Sequence, residues 1–247
     1  MGESVVLVFS DIHGCYFEFE KVLSYFQKEN KRYIFLGDYI DRGSYSKEVV
    51  EKVLELSPKV CLLGNHEDMM LRYLKFGHKS WLFPTNGGNS TIESFGGVEN
   101  INTYLSFFEQ LRFLHVEEFF GVKFLFSHAN VLPDFPIEKA TNYEGSYSEF
   151  LNDIGMDLSI SNIWLREVYP LKGYVLIHGH TPTFNKKVGL YKVNDRIVDI
   201  NIDTGCVYGG NLTALCFPEN EKELSVCGGI LVVNDKLETE VIGFESF

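Results

Sequence analysis

Val5-Val6-Leu7-Val8-Phe9-Ser10-Asp11-Ile12-His13-Gly14 decides how this chain is read. The first five residues are bulky and apolar with no polar alternation, so they read as a short strand buried on both faces. The run stops at Ser10. Asp11 and His13 follow two apart, so at a strand end they point the same way and can grip one ion together. Gly14 then lets the chain turn tightly. Three more apolar runs end in this manner. Tyr33 to Leu36 precedes Gly37-Asp38-Tyr39-Ile40-Asp41-Arg42-Gly43, and Val60 to Leu63 precedes Gly64-Asn65-His66-Glu67. Tyr174 to Ile177 precedes His178-Gly179-His180-Thr181, and a further run, Lys123 to Phe126, precedes His128. Open α/β sheets place their sites at the carboxyl ends of strands, so the clusters are expected to converge. A carboxylate such as Asp38 can bridge two metals ~3.5–4 Å apart. The Asn65 carbonyl and the His128 and His180 imidazoles add donors that suit Mn, Fe or Zn better than Ca. Two divalent ions and hydrolysis of a phosphate ester are the chemistry these donors imply.

A chain of 247 residues fits one α/β domain, expected here to be residues 1–247. The 45% apolar content excludes a largely disordered chain. A net charge of −12, with only the doublets Lys31-Arg32 and Lys186-Lys187, argues against a nucleic-acid groove. The five cysteines (Cys15, Cys61, Cys206, Cys216, Cys227) are odd in number and contain no C-x-x-C pair, which suits free thiols in a reducing compartment. Cys15 adjoins the first cluster but reads as a small core residue. No stretch approaches the ~18 apolar residues of a membrane span. Neither a basic leader nor a myristoylation signal is present, so no membrane partner and a cytoplasmic location are expected.

Strand and helix alternate over the first ~80 residues, the pattern of a mainly parallel layer. Phe19, Val22, Leu23 and Phe26 recur at helical spacing, as do Val49, Val50, Val53 and Leu54 between Ser46 and Pro58. Further helices are expected over Glu67 to Phe76 and over the aromatic-rich Ile101 to Phe113. Val116 to Phe120 and Val122 to Ser127 read as a hairpin through Gly121, and residues 129–160 as a long surface excursion of lid type. The tail offers short strands at Val188–Val193, Ile197–Asn201, Leu212–Phe217, Ile230–Val233 and Glu240–Phe244. An α/β fold of two β layers follows, one parallel-rich and one antiparallel-rich, packed face to face with helices outside.

With these motifs in place, Asp11-x-His13, Gly37-Asp38-x-x-Asp41-Arg42-Gly43, Gly64-Asn65-His66-Glu67, His128 and Gly179-His180 resemble the calcineurin-like metallophosphoesterase superfamily. The Asp-Arg-Gly and Asn-His-Glu forms resemble its bacterial and phage phosphoprotein phosphatase branch. Asn86-Gly87-Gly88, Trp164-Leu165-Arg166 and the stretch from Asp203 to Gly210 extend the likeness over nearly the whole chain. The resemblance implies the metallophosphatase fold: two mixed β-sheets in a central sandwich flanked by helices. It also implies two divalent ions, Mn2+ first with Fe or Zn as alternatives. Asp11, His13 and Asp38 would hold one, and Asp38, Asn65, His128 and His180 the other. By the same resemblance Arg42 and Arg166 clamp phosphate oxygens, and His66, oriented by Asp41, is the general acid for the leaving oxygen.

Other residues carry plainer readings. Glu67 neutralises a helix amino terminus. His178 is either a partner behind the ligands or a satisfied strand histidine. Trp164 reads as packing, while Asn86 either touches substrate or caps a turn. Two departures from the family pattern stand out: Pro182 replaces the second histidine of the diesterase Gly-His-x-His cluster, which favours monoester chemistry, and Asn211 stands where Arg is usual in bacterial relatives. The leading expectation is a phosphatase acting on phosphoserine or phosphothreonine in proteins. A diadenosine polyphosphate hydrolase is the alternative, acting on a small phosphate ester. The different-class alternative, a non-catalytic scaffold on this fold, should have lost ligands, and none is lost here.

Overall fold

The computed structural model describes residues 4–26, 30–222, 224 and 229–247. The opening run forms β1 (Ser4–Phe9), followed by α1 (Tyr16–Tyr25), β2 (Asn30–Phe35), α2 (Ser46–Glu55), β3 (Val60–Cys61) and α3 (Asn65–Phe76). Short helices α4 (Gly88–Phe95), α5 (Val98–Ile101) and α6 (Leu105–Glu109) lead to the hairpin β4 (His115–Phe119) and β5 (Val122–Phe126). Next come α7 (Ile137–Thr141), α8 (Tyr147–Ile154), β6 (Val175–His178), β7 (Gly189–Val193) and β8 (Arg196–Asn201). The chain ends with β9 (Thr213–Pro218), β10 (Ile230–Asn234) and β11 (Thr239–Ile242).

These strands form two sheets, ordered β11-β10-β9-β1-β2-β3 and β4-β5-β6-β8-β7. Both are mixed, rather than one parallel-rich and one antiparallel-rich. The tail strands β9 to β11 return antiparallel beside β1 in the first sheet, while β6 and β8 extend the second in parallel with β5. The absence of alternation in β1 now has its cause. Val5, Leu7 and Phe9 face the helix-covered side with Phe19 and Val22 of α1. Val6 and Val8 face the second sheet, with Phe119, Phe124, Phe126 and Phe217. Phe217 lies between the sheets, its ring 4.6 Å from that of Phe119 and 5.1 Å from that of Phe124. Truncating so large a buried ring leaves a cavity, so Phe217→Ala should lower stability by about 3–5 kcal/mol, read as a fall in the urea midpoint.

Two expectations change. The helix expected over 101–113 breaks into α5, a 3-10 turn over Asn102–Tyr104, and α6. Asn102 and Thr103 are weak helix formers, and Arg112 is drawn into extended pairing, donating its N–H to Cys61 O and accepting from Leu63 N–H. Residues 129–160 are no lid, since they carry α7 and α8 and send Phe135, Ala140, Tyr147 and Phe150 into the core. Polar spacing hid that amphipathic register. Among the described residues no helix is long and apolar enough to cross a membrane. Cys227 lies outside the described residues, while Cys15, Cys61 and Cys206 are free thiols.

Candidate active site

Strands β1, β2 and β3 run parallel, as do β5, β6 and β8, so their carboxyl ends deliver loops to one edge of the sandwich. The turns there are sharp. Of the twelve non-glycine residues with positive φ among the described residues, Asp11, His13, Asp38, Asp41, Arg42 and His180 lie in these loops. Such backbone costs on the order of 1–3 kcal/mol per residue and persists only where the surroundings impose it. Here they do. Asp38 O accepts from His13 N–H at 2.9 Å, and His13 O accepts from Gly43 N–H at 3.0 Å. A Cβ on Gly43 would strike His13 O, and one on Gly179 would strike the Asp11 carboxylate, so glycine is required at both contacts. Glu67 is fully buried and accepts N–H bonds from Asp38 and Tyr39, both at 2.9 Å, and from Gly64 at 3.1 Å. It caps α3, as its position suggested, and it also fixes the Asp38 loop.

The imidazoles are set by what lies behind them. His13 Nδ1 is 2.8 Å from Ile40 O and His128 Nδ1 is 2.9 Å from Leu36 O. A carbonyl only accepts, so in both rings the proton sits on Nδ1 and the Nε2 lone pair faces the site. His13 Nε2 then faces Asp38 Oδ2 at 3.4 Å, and His128 Nε2 faces Asn65 Oδ1 at 2.9 Å and Asp38 Oδ1 at 3.5 Å. At His128 lone pair meets lone pair, which a cation between them would relieve, while at His13 the Arg42 guanidinium stands beside Nε2. His180 Nδ1 also meets Asn65 Oδ1, at 2.9 Å, while its Nε2 is buried without a partner. Two triads result, His13-Asp38-His66 and Asp38-His128-His180, each with donor atoms within 4.8 Å of one another, and they share Asp38. Asp11 borders the same cavity, its Oδ2 accepting from the Ser10 hydroxyl and, at 2.9 Å, from His180 N–H.

Electrostatics point the same way. Burial, then the Asp11 charge, pushes the Asp38 carboxyl well above its ordinary range, and the same causes push up Asp203. Burial pushes Asp41 up to about 7 and Glu67 to about 8. Burial and neighbouring positive groups hold His13, His66 and His180 well below the ordinary imidazole value, in the neutral form that binds metal. Buried carboxyls crowded against one another call for positive charge and the imidazoles are held neutral, so the donor set fits divalent metal. A carboxyl whose folded pKa is raised binds its proton better folded than unfolded, so stability is lost as pH rises. Above about pH 6.5 these imidazoles are neutral folded and unfolded alike, so there the carboxyls decide and metal-free protein should melt progressively lower toward pH 8, a loss that a bound divalent ion such as Mn2+ should reverse. Thermal midpoints across that range, with and without Mn2+, check this.

His66 is itself a member of the first triad by distance, Nε2 being 3.9 Å from Asp38 Oδ2, but its Nδ1 is tied to Asp41 Oδ2 at 2.6 Å. Asp41 is itself gripped by Trp81 Nε1–H at 2.8 Å and by the Thr91 hydroxyl at 2.6 Å. Trp81 and Thr91 lie outside every strand-end cluster, and no sequence signal identified them. Asp203 and Tyr208 border the cavity as well. Asp203 had a signal: like Asp11 and Asp38, it lies just past the carboxyl end of a strand, β8. The cavity, about 230 Å³, is lined by Asp11, His13, Asp38, Asn65, His66 and His180, with Arg42, Asn86 and Arg166 at its border. Arg42 is half-buried and its Nη1 is 2.5 Å from His13 Nε2, whereas Arg166 is exposed and bonds the Thr181 hydroxyl at 3.2 Å. Asn86 both faces the cavity and donates to Ser80 O at 2.8 Å. Trp164 is more than packing: it borders the cavity with its ring edge-on to His180 at 5.9 Å, and its Nε1 is buried without a partner. His178 is the satisfied histidine, bonded to Gly179 O and Asp199. A larger cleft of about 390 Å³ beside α3 and α8 brings no ligand triad together. Cys15, Glu18 and Cys206 form a third set within 4.8 Å that joins α1 to the turn after Asp203.

The chain is similar to known proteins. The calcineurin-like phosphoesterase family matches residues 4–228. An asymmetrical bis(5'-nucleosyl)-tetraphosphatase PrpE from Halalkalibacterium halodurans is 27% identical over 239 residues, covering 87% of this chain and 90% of its own. A crystal structure described as a candidate diadenosine tetraphosphatase superposes with TM-score 0.55 at 22% identity, covering 94% of each chain. The cold-active protein-tyrosine phosphatase of a psychrophilic Shewanella sp. superposes with TM-score 0.65 at 16% identity, covering 97% of this chain and 80% of its own. Likeness at those identities speaks to fold alone. The sequence relatives overturn the phosphoserine and phosphothreonine expectation, because they are named for cleavage of nucleotide tetraphosphates and not of phosphoproteins. The motifs that suggested protein phosphatase build the loops that gather the donor atoms, and say little about what leaves the phosphorus. Matched across nearly all of its described length, the chain belongs to the calcineurin-like phosphoesterase family.

Proposed function

We propose that this chain is a metal-dependent hydrolase of bis(5'-nucleosyl) tetraphosphates, acting as one domain over residues 1–247 in a cytoplasmic setting. The observation that carries the reading is the likeness, along 87% of the chain, to relatives named for that activity. Asp11, His13 and Asp38 would hold one divalent ion and Asp38, Asn65, His128 and His180 a second, with Mn2+, Fe or Zn suited to such donors. Two such ions supply Lewis-acid charge to the phosphoryl group and make water nucleophilic near neutral pH.

The chain's own residues do the rest. Arg42, held beside His13, presents a guanidinium fork to the non-bridging oxygens, and Arg166 does so from the open side. His66 is the group placed to protonate a leaving oxygen, with Asp41 fixing its ring through Nδ1. Trp81 and Thr91 hold Asp41 in turn. Arg42→Ala should lower kcat/KM on the order of 10²-fold, since its contact tightens as charge spreads over the phosphoryl oxygens. Arg166→Ala should cost less, about 10-fold, because water screens an exposed group. Steady-state kinetics at low and high salt separate the two, with only the Arg166 effect shrinking in salt.

Product analysis tests the function. Mn2+-loaded protein given bis(5'-adenosyl) tetraphosphate should release ATP and AMP, the asymmetrical split. Release of ADP alone, or no nucleotide product, contradicts the reading.

A further inference from the structure

We infer that the open face of Tyr208 is the stacking platform for one nucleobase of the dinucleoside substrate, an inference that rests on the tetraphosphatase reading above. Tyr208 is 60% exposed, and among the described residues it is the one exposed large aromatic that also borders the active-site cavity. Its ring carries the Arg42 guanidinium 5.4 Å from the centroid. The ring thus covers the phosphate clamp on one side and offers water a flat π surface on the other. A phosphate held by Arg42 leaves its own nucleoside beside that surface.

The platform is built in advance. Tyr208 ends a 3-10 turn, Cys206–Tyr208, between Gly205 and Gly209, both at positive φ. Gly205 N–H donates to Asp203 Oδ1 at 3.0 Å, which ties the turn to the cavity wall. Gly209 O accepts from Lys186 Nζ at 2.7 Å, which holds its far end. A ring placed this way loses little freedom on stacking. Base–aromatic stacking is tolerant of base identity, because every base has a π face, and contributes on the order of 10-fold in affinity. Adenine and guanine should therefore be accepted alike.

Calorimetric binding of ATP, GTP and inorganic tripolyphosphate to the metal-loaded chain tests this, because the last ligand has the phosphates without the nucleoside. Wild type should bind ATP and GTP about 10-fold more tightly than tripolyphosphate. Tyr208→Ala should erase that advantage, and so should Tyr208→Leu, which keeps apolar cover over Arg42 but cannot stack. Tyr208→Trp should retain it. Equal wild-type affinities for ATP and tripolyphosphate, or an advantage that survives in the Leu variant, overturns the platform. Wild-type turnover of bis(5'-adenosyl) tetraphosphate is measured beside it. Turnover without a nucleoside advantage refutes Tyr208 alone, whereas no turnover refutes the function and this substrate assignment with it.

Discussion

Asp38→Asn should lower turnover of the proposed substrate, bis(5'-adenosyl) tetraphosphate, on the order of 10³-fold, the scale of several kcal/mol of lost transition-state stabilisation. Asp38 belongs to both donor triads, so its loss should weaken an ion held at either. The fold should survive the change. Asn can still accept the His66 N–H that Asp38 Oδ1 accepts at 3.1 Å, which holds the start of α3. The metal-free variant should gain stability over wild type as pH rises, because it lacks one buried carboxyl beside Asp11 to ionise. Differential scanning fluorimetry reads this apart from catalysis: Mn2+ should raise the wild-type midpoint, as any ligand of the folded state does, and raise the variant's much less. An undiminished Mn2+ shift together with wild-type turnover in Asp38→Asn would refute the shared-ligand role.

His66→Asn separates two roles that geometry leaves adjacent, since the ring faces the first triad while Asp41 holds its Nδ1. If His66 is the general acid, both metals remain and the damage follows the leaving group. An alkyl phosphate expels a strongly basic alkoxide and should slow by ~10²–10⁴-fold. Dinucleoside tetraphosphate expels a nucleotide phosphate, and p-nitrophenyl phosphate a phenolate, neither of which needs a proton, so both should slow far less. Asp41→Asn should repeat the pattern more mildly. Metal content and the three rates are measured on one preparation. Loss of metal with equal slowing of all three esters would make His66 a ligand.

Much of the fold was legible because the strands feeding the site are buried on both faces and end abruptly in polar residues. β1 shows this best: its apolar run, its stop at Ser10 and the Asp11-His13 pair all lie within a few residues. Partners distant in sequence were harder to read. Trp81 and Thr91 reach Asp41 from short helical segments with ordinary spacing, so only the folded chain discloses that they grip it. Residues 129–160 misled for a related reason. Their core residues are separated by Pro, Asn and Gly, and only the folding of α7 and α8 gathers Phe135, Ala140 and Phe150 to one side. Trp164 was read as packing because an indole is a large apolar body, yet its unpartnered Nε1 and its contact with His180 set it in the cavity wall. Substrate was the least legible property, because the donor atoms of Asp38, Asn65 and His180 fit a metal and carry no mark of the leaving group.

A competition assay tests the central claim most directly, because discrimination between substrates is a ratio of kcat/KM values. Mn2+-loaded protein is given bis(5'-adenosyl) tetraphosphate and a phosphothreonine peptide in one vessel, and both products are followed. Preferential consumption of the tetraphosphate, with ATP and AMP accumulating while the peptide stays phosphorylated, is the predicted result. Preferential release of phosphate from the peptide would contradict it.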